Sequence, residues 1–147
     1  VTAAYEGYDV IGATRPLDFG HWSAHEIEIM SGYGIGHGQA VSIGIALDSY
    51  YAMHKKLITK GEFSRITKGL IDSGLPVWSD VLQRRNGRGE LAVLRGLEQF
   101  REHLGGELTV TLPKSIGRKC EVHKMDVKII EDGIRHLKKM LPAKYAK

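Results

Sequence analysis

A chain of 147 residues, 42% hydrophobic and 26% charged, has the size and balance of one globular domain. No apolar run approaches the roughly 20 residues of a membrane span, and the N-terminus lacks the basic start and apolar core of an export signal, so no membrane partner is expected. The +4 net charge comes from Lys and Arg scattered without interleaved aromatics, which argues against a nucleic-acid partner, and Cys120 alone excludes a disulfide framework or cysteine zinc cluster and fits a reducing, cytoplasmic setting.

Residues 1–16 mix Gly, Asp and Pro without periodicity and read as an irregular entry segment. Asp18 is a candidate N-cap for a first helix running to about Ser31, where Ser31-Gly32-Tyr33-Gly34-Ile35-Gly36 breaks it. From Gly38 to Lys56 a second helix is apolar on almost every side through Leu47, which places it in the middle of the domain. Gly38, Ala40 and Gly44 would let a neighbouring helix approach it closely. Thr59-Lys60-Gly61-Glu62 is a capping box for a third helix, with Phe63, Ile66, Leu70 and Ile71 at helical spacing. Gly74-Leu75-Pro76 stops that helix.

A short helix is expected around Ser79 to Gln83, and Arg84 to Gly89 reads as an exposed basic turn. Leu91, Leu94, Leu97, Phe100 and Leu104 form another helical stripe, ended by Gly105-Gly106. Glu107 to Leu112 alternates like a strand, Pro113 to Gly117 turns, and a second alternating piece runs through Val122. Asp126 caps a last helix with Ile129, Ile130, Ile134 and Leu137 inward and Lys138-Lys139 at its C-terminal end. The expectation is a mainly α, multi-helical single domain over residues 1–147 with one small β-hairpin.

The chemistry concentrates in Asp18-Phe19-Gly20-His21-Trp22-Ser23-Ala24-His25-Glu26-Ile27-Glu28 and in Gly36-His37-Gly38-Gln39. His21 and His25 lie one turn apart on one helical face, Glu28 falls back onto that stripe, and His37 follows a Gly-rich break that can return it to the same place. Trp22 stands where the zincin H-E-x-x-H motif has its general-base Glu, so that chemistry is excluded. Spacing alone leaves two readings open, a metal site or ordinary histidines.

These residues resemble the signature of the 3-dehydroquinate synthase-like sugar phosphate cyclases, N-F-G-H-x-x-G-H-x-I-E followed by H-G-E-A-V-x-x-G-M. The resemblance spans roughly residues 10 to 135 and is strongest at 16 to 48. The Asp18-Phe19-Gly20-His21-Trp22 start and the segment from Gly105 to Pro113 are similar, more narrowly, to the branch found in ebo-type gene clusters. The resemblance implies the helical C-terminal domain of such an enzyme. His21 and His37 would be the metal ligands, for Zn2+ or another divalent ion. His25 would be the substrate-facing catalytic histidine, and Glu28 a non-ligand.

Asp18, Arg15 and Arg118 match or neighbour substrate-contacting positions. The family's third zinc ligand, a Glu, and its Rossmann-like NAD-binding domain would both lie ahead of Val1. No G-x-G-x-x-G follows a strand here, so NAD would be bound by that N-terminal domain. The implied reaction converts a phosphorylated sugar or sugar acid into a carbocycle, through transient oxidation by NAD, phosphate elimination, re-reduction and an intramolecular aldol closure. The chain alone would then be an inactive fragment, and a homodimer is an open assembly.

Several positions depart from the family pattern. Asp18 replaces Asn, Gln39 replaces Glu, Thr14 precedes Arg15 where Arg is usual, Arg101-Glu102-His103 replaces Asp-Lys-Lys, and Arg118 replaces Lys. Two alternatives remain open at this point: the helical domain of a metal-dependent polyol or alcohol dehydrogenase, and a non-catalytic helical interaction module.

Overall fold

The computed structural model describes residues 18–103, 105–115 and 117–141, with the backbone alone for His103. The entry segment with Thr14 and Arg15, and also Leu104 and Ile116, lie outside the described residues. Among the described residues are five α-helices: α1 (His21–Met30), α2 (His37–His54), α3 (Lys60–Asp72), α4 (Arg95–His103) and α5 (Val127–Lys139). Two short 3-10 turns, Asp80–Gln83 and Ala92–Leu94, connect α3 to α4. Strands β1 (Val110–Pro113) and β2 (Lys119–Val122) form the expected antiparallel hairpin, with Val110 opposite Val122 and Pro113 opposite Lys119.

Helix α2 is the axis of the domain, buried from Ala40 to Ala52 except at the partly covered Val41, Ile45 and Tyr50. Helices α1, α3 and α5 and strand β1 all pack on it. A helix surrounded on all sides needs apolar residues all round, which explains its lack of a polar face. Hydrogen bonds tie the surroundings together: the Tyr51 hydroxyl accepts from Asp126 N–H at 2.8 Å, and the Trp78 indole donates to the Ile134 carbonyl at 3.0 Å.

The Thr59 capping box forms as read, with Glu62 N–H donating to Thr59 Oγ1 at 3.0 Å and Thr59 N–H to Glu62 Oε1 at 2.9 Å. Asp126 caps α5 by accepting from Lys128 N–H at 2.9 Å.

Four expectations are corrected. Gly20, not Asp18, is the N-cap of α1; it is left-handed (φ 79°) and offers no side-chain cap. The Leu91–Leu104 stripe is not one helix: Leu91 bridges to Arg85, a 3-10 turn follows, and α4 starts at Arg95. The first strand starts at Val110 rather than Glu107 and includes Pro113, whose missing N–H sits at the end of the ladder. Gly38 is exposed with open space around it, so close helix approach depends on Gly44.

Candidate metal and substrate site

The site is built where the N-terminus of α1 crosses the middle of α2. A methyl group on Gly44 would overlap the Gly20 carbonyl oxygen, and a Cβ on Gly20 would lie 2.7 Å from Ile45 N. Two backbones thus touch where neither residue has a side chain. On the buried side, Asp48 of α2 accepts from Trp22 Nε1–H at 2.7 Å and from Gly20 N–H at 3.2 Å. Burial, opposed by these two bonds, pushes the Asp48 carboxyl up to about 7.

On the outer side the two helix starts bring His21 and His37 together, with ring centres 5.5 Å apart and planes inclined by 59°. His21 Nδ1 lies 3.1 Å from the Phe19 carbonyl oxygen, and His37 Nδ1 lies 3.2 Å from Glu28 Oε2. A carbonyl and a carboxylate only accept, so Nδ1 donates in both rings, and in the neutral imidazole Nε2 is then the nitrogen with the lone pair. That arrangement orients imidazoles in metal sites. Neutral imidazole nitrogens suit zinc and other divalent transition metals, so these two residues fit such an ion.

Glu28 is occupied with His37. Among the described residues no group of three or more His, Cys, Asp or Glu stands where it could hold a metal ion. The pair therefore offers two nitrogens to such an ion, without a third ligand beside them among the described residues.

His21, His25 and His37 line one cavity of about 790 Å³, together with Asp18, Trp22, Glu28 and the α4 residues Gly96, Gln99, Phe100 and Glu102. Helix α4 approaches closely because a side chain on Gly96 would strike the Trp22 carbonyl. Gln99, with its amide nitrogen facing the carboxylate, donates to buried Glu26 at 2.8 Å. His25 is exposed one turn beyond His21. Among the described residues, no Lys or Arg lines the cavity.

Of the substrate-side residues, Asp18 is in this cavity, and Arg118 is not. Arg118 lines a separate groove of about 350 Å³ with Phe19, Ile66 and the hairpin. Arg15 lies outside the described residues. Gln39, in place of the family's Glu, turns back to accept from Gly36 N–H at 3.2 Å and caps its own helix. Arg101 pairs with Glu98 and with the Gly106 carbonyl, while its neighbour Glu102 faces the cavity. Two arginines of the basic turn have protein partners: Arg85 donates to the Gly89 carbonyl at 2.8 Å and to Glu131 at 3.4 Å, and Arg84 to the Met30 carbonyl of α1.

Sequence reasoning missed Asp48 and Gly96. The signal for Asp48 was a lone carboxylate one turn after Gly44 in an otherwise apolar run.

The description "3-dehydroquinate synthase C-terminal" belongs to the family model that matches residues 8–92, more than half of the chain. Three 3-dehydroquinate synthases are similar in sequence. The one from Aeropyrum pernix is 34% identical over 73% of this chain and 28% of its own length. The one from Buchnera aphidicola is 30% identical over 84% of this chain and 33% of its own. The one from Desulforamulus reducens is 29% identical over 73% of this chain and 29% of its own.

Among solved structures, a 2-epi-5-epi-valiolone synthase from Streptomyces hygroscopicus, determined with NAD+ and Zn2+ bound, matches with a TM-score of 0.79 and 26% identity. The match covers 92% of this chain and 36% of that one. The chain thus spans about a third of the length of these relatives. With the His21, His25 and His37 motifs on the matched segment and the helical fold shared, the chain belongs to the 3-dehydroquinate synthase C-terminal family.

Proposed function

We propose that this chain is the helical, metal- and substrate-binding part of a cytoplasmic NAD- and zinc-dependent sugar phosphate cyclase, a carbon–oxygen lyase acting on a phosphorylated sugar or sugar acid. The observation that carries the reading is the paired fixing of Nδ1 on His21 and His37, by Phe19 and Glu28, on two rings bordering one cavity. His21 and His37 would hold the zinc, or another divalent ion, through Nε2. When bound, the metal supplies Lewis acidity at a substrate hydroxyl and NAD the hydride chemistry.

The chain's own residues then have distinct tasks. His25, exposed on the cavity wall, holds or passes a proton at its ring nitrogen and stays outside the metal's ligands. Asp18 hydrogen-bonds substrate hydroxyls from the cavity rim. Trp22, Phe100 and Gln99 form part of the cavity wall beside the substrate. Among the described residues no Lys or Arg lines the cavity, so the substrate's phosphate would be met by Arg118 of the separate groove, by Arg15, or by the NAD-binding domain expected ahead of this segment.

The test is a zinc titration of His21→Ala, His25→Ala and His37→Ala in the full polypeptide. Removal of His21 or His37 should weaken zinc binding at least about tenfold, and removal of His25 should lower turnover while leaving zinc affinity near wild type. Loss of zinc binding in His25→Ala alone would overturn the assignment.

A further inference from the structure

The residues on either side of His21 share one partner. Gly20 offers its N–H and Trp22 its indole N–H to the two oxygens of Asp48, a side chain 1% exposed in the middle of α2. His21 itself reaches only outward, to the Phe19 carbonyl one residue before Gly20. We propose that Asp48 is a positioning residue for His21: by gripping the residues that flank it, the carboxylate fixes the start of α1 and so the direction of the His21 ring.

The geometry leaves little slack. Gly20 is held in a left-handed turn against Gly44, so it can withdraw from α2 only by breaking its bond to Asp48. Any such withdrawal carries the Phe19 carbonyl with it and frees His21 Nδ1. The first turn of α1 has no side-chain cap, and a carboxylate placed at a helix N-terminus by another helix is favoured by the helix dipole. Two α2 residues one turn apart thus act on one neighbour: Gly44 allows α1 to approach, and Asp48 locks it there. Asn is a poor replacement for Asp48, because its amide offers one acceptor and points a donor at the other N–H.

The inference rests on the reading of His21 as a metal ligand, but its consequence for the His21 ring exists without metal. The experiment compares wild type, Asp48→Asn and Trp22→Phe in the full polypeptide at about pH 8, with Ile130→Val in the α5 core as a destabilised control. Three quantities are measured: cobalt(II) affinity from its visible absorption, the His21 tautomer in metal-free protein from long-range nitrogen–proton spectra, and the melting temperature.

Asp48→Asn should weaken cobalt binding by about tenfold or more and turn a single Nδ1–H tautomer of His21 into a mixture. Trp22→Phe should do the same to a smaller degree and carries the test if Asp48→Asn does not fold. Ile130→Val should change only the melting temperature. If Asp48→Asn and Trp22→Phe lower the melting temperature while cobalt affinity and His21 signals stay as in wild type, Asp48 merely holds two helices together and the proposal is overturned. A wild type that binds no cobalt, with a His21 tautomer that still responds to Asp48→Asn, overturns the ligand reading and leaves the positioning role supported.

Discussion

Asp48 is shielded from water and faces two N–H donors, and its carboxyl is nonetheless pushed up to about 7 because burial outweighs the two bonds. In the unfolded chain the same group titrates near 3.8. The folded protein therefore binds the proton more tightly between these values. The stability this residue contributes is fully present below about pH 4 and is lost as pH rises through about 7. Raising the pH from about 5 to about 8 should lower the unfolding free energy of wild type by about 2–3 kcal/mol more than that of Asp48→Asn. Denaturant melts of both proteins at the two pH values measure this, and parallel changes in the two would contradict it. At the same scale, burial also pushes the half-buried Cys120 thiol up, so this cysteine is a poor thiolate nucleophile at neutral pH.

Helices α1 and α2 carry the site, and their crossing depends on the absence of a side chain at Gly44. Alanine inside a helix is normally worth about 1 kcal/mol over glycine. Here the added methyl meets the Gly20 carbonyl, so Gly44→Ala should destabilise by about 1–3 kcal/mol and weaken metal binding together with it. Thr59→Ala at the α3 capping box offers the contrast. Losing that cap should cost about 1 kcal/mol in a thermal melt and leave metal affinity unchanged, because α3 does not border the histidine cavity. A Thr59→Ala protein with weakened zinc binding would show that the site is sensitive to general stability rather than to the α1–α2 crossing.

For the molecule as a whole, the proposed metal site has two imidazoles in an open cavity, and no Lys or Arg is among the described residues that border it. The 147-residue chain alone, given NAD, zinc and a panel of sugar phosphates, should show no turnover. Carbocycle formation by it would refute the view that essential groups lie in the remaining two-thirds of the relatives' length. Among the described residues, no helix is long and apolar enough to cross a membrane.

The sequence by itself determined what depends on neighbours along the chain. The capping box at Thr59, the cap at Asp126, the breaks at Gly32 to Gly36 and Gly74, the stripes of α3 and α5 and the place of the hairpin are all set within a turn or two of backbone. The one-turn spacing of His21 and His25 was visible for the same reason. Only the tertiary structure decided what depends on residues far apart in the chain. It started α1 at Gly20 rather than Asp18, because the approach to Gly44 and the pull of Asp48 outweigh a local cap. It gave Glu28 to His37, sent Arg118 to a different groove from Asp18, and set Asp48 between Gly20 and Trp22. Contacts across 26 and 28 residues of chain leave no periodicity to read, since their partners are chosen by how two helices cross.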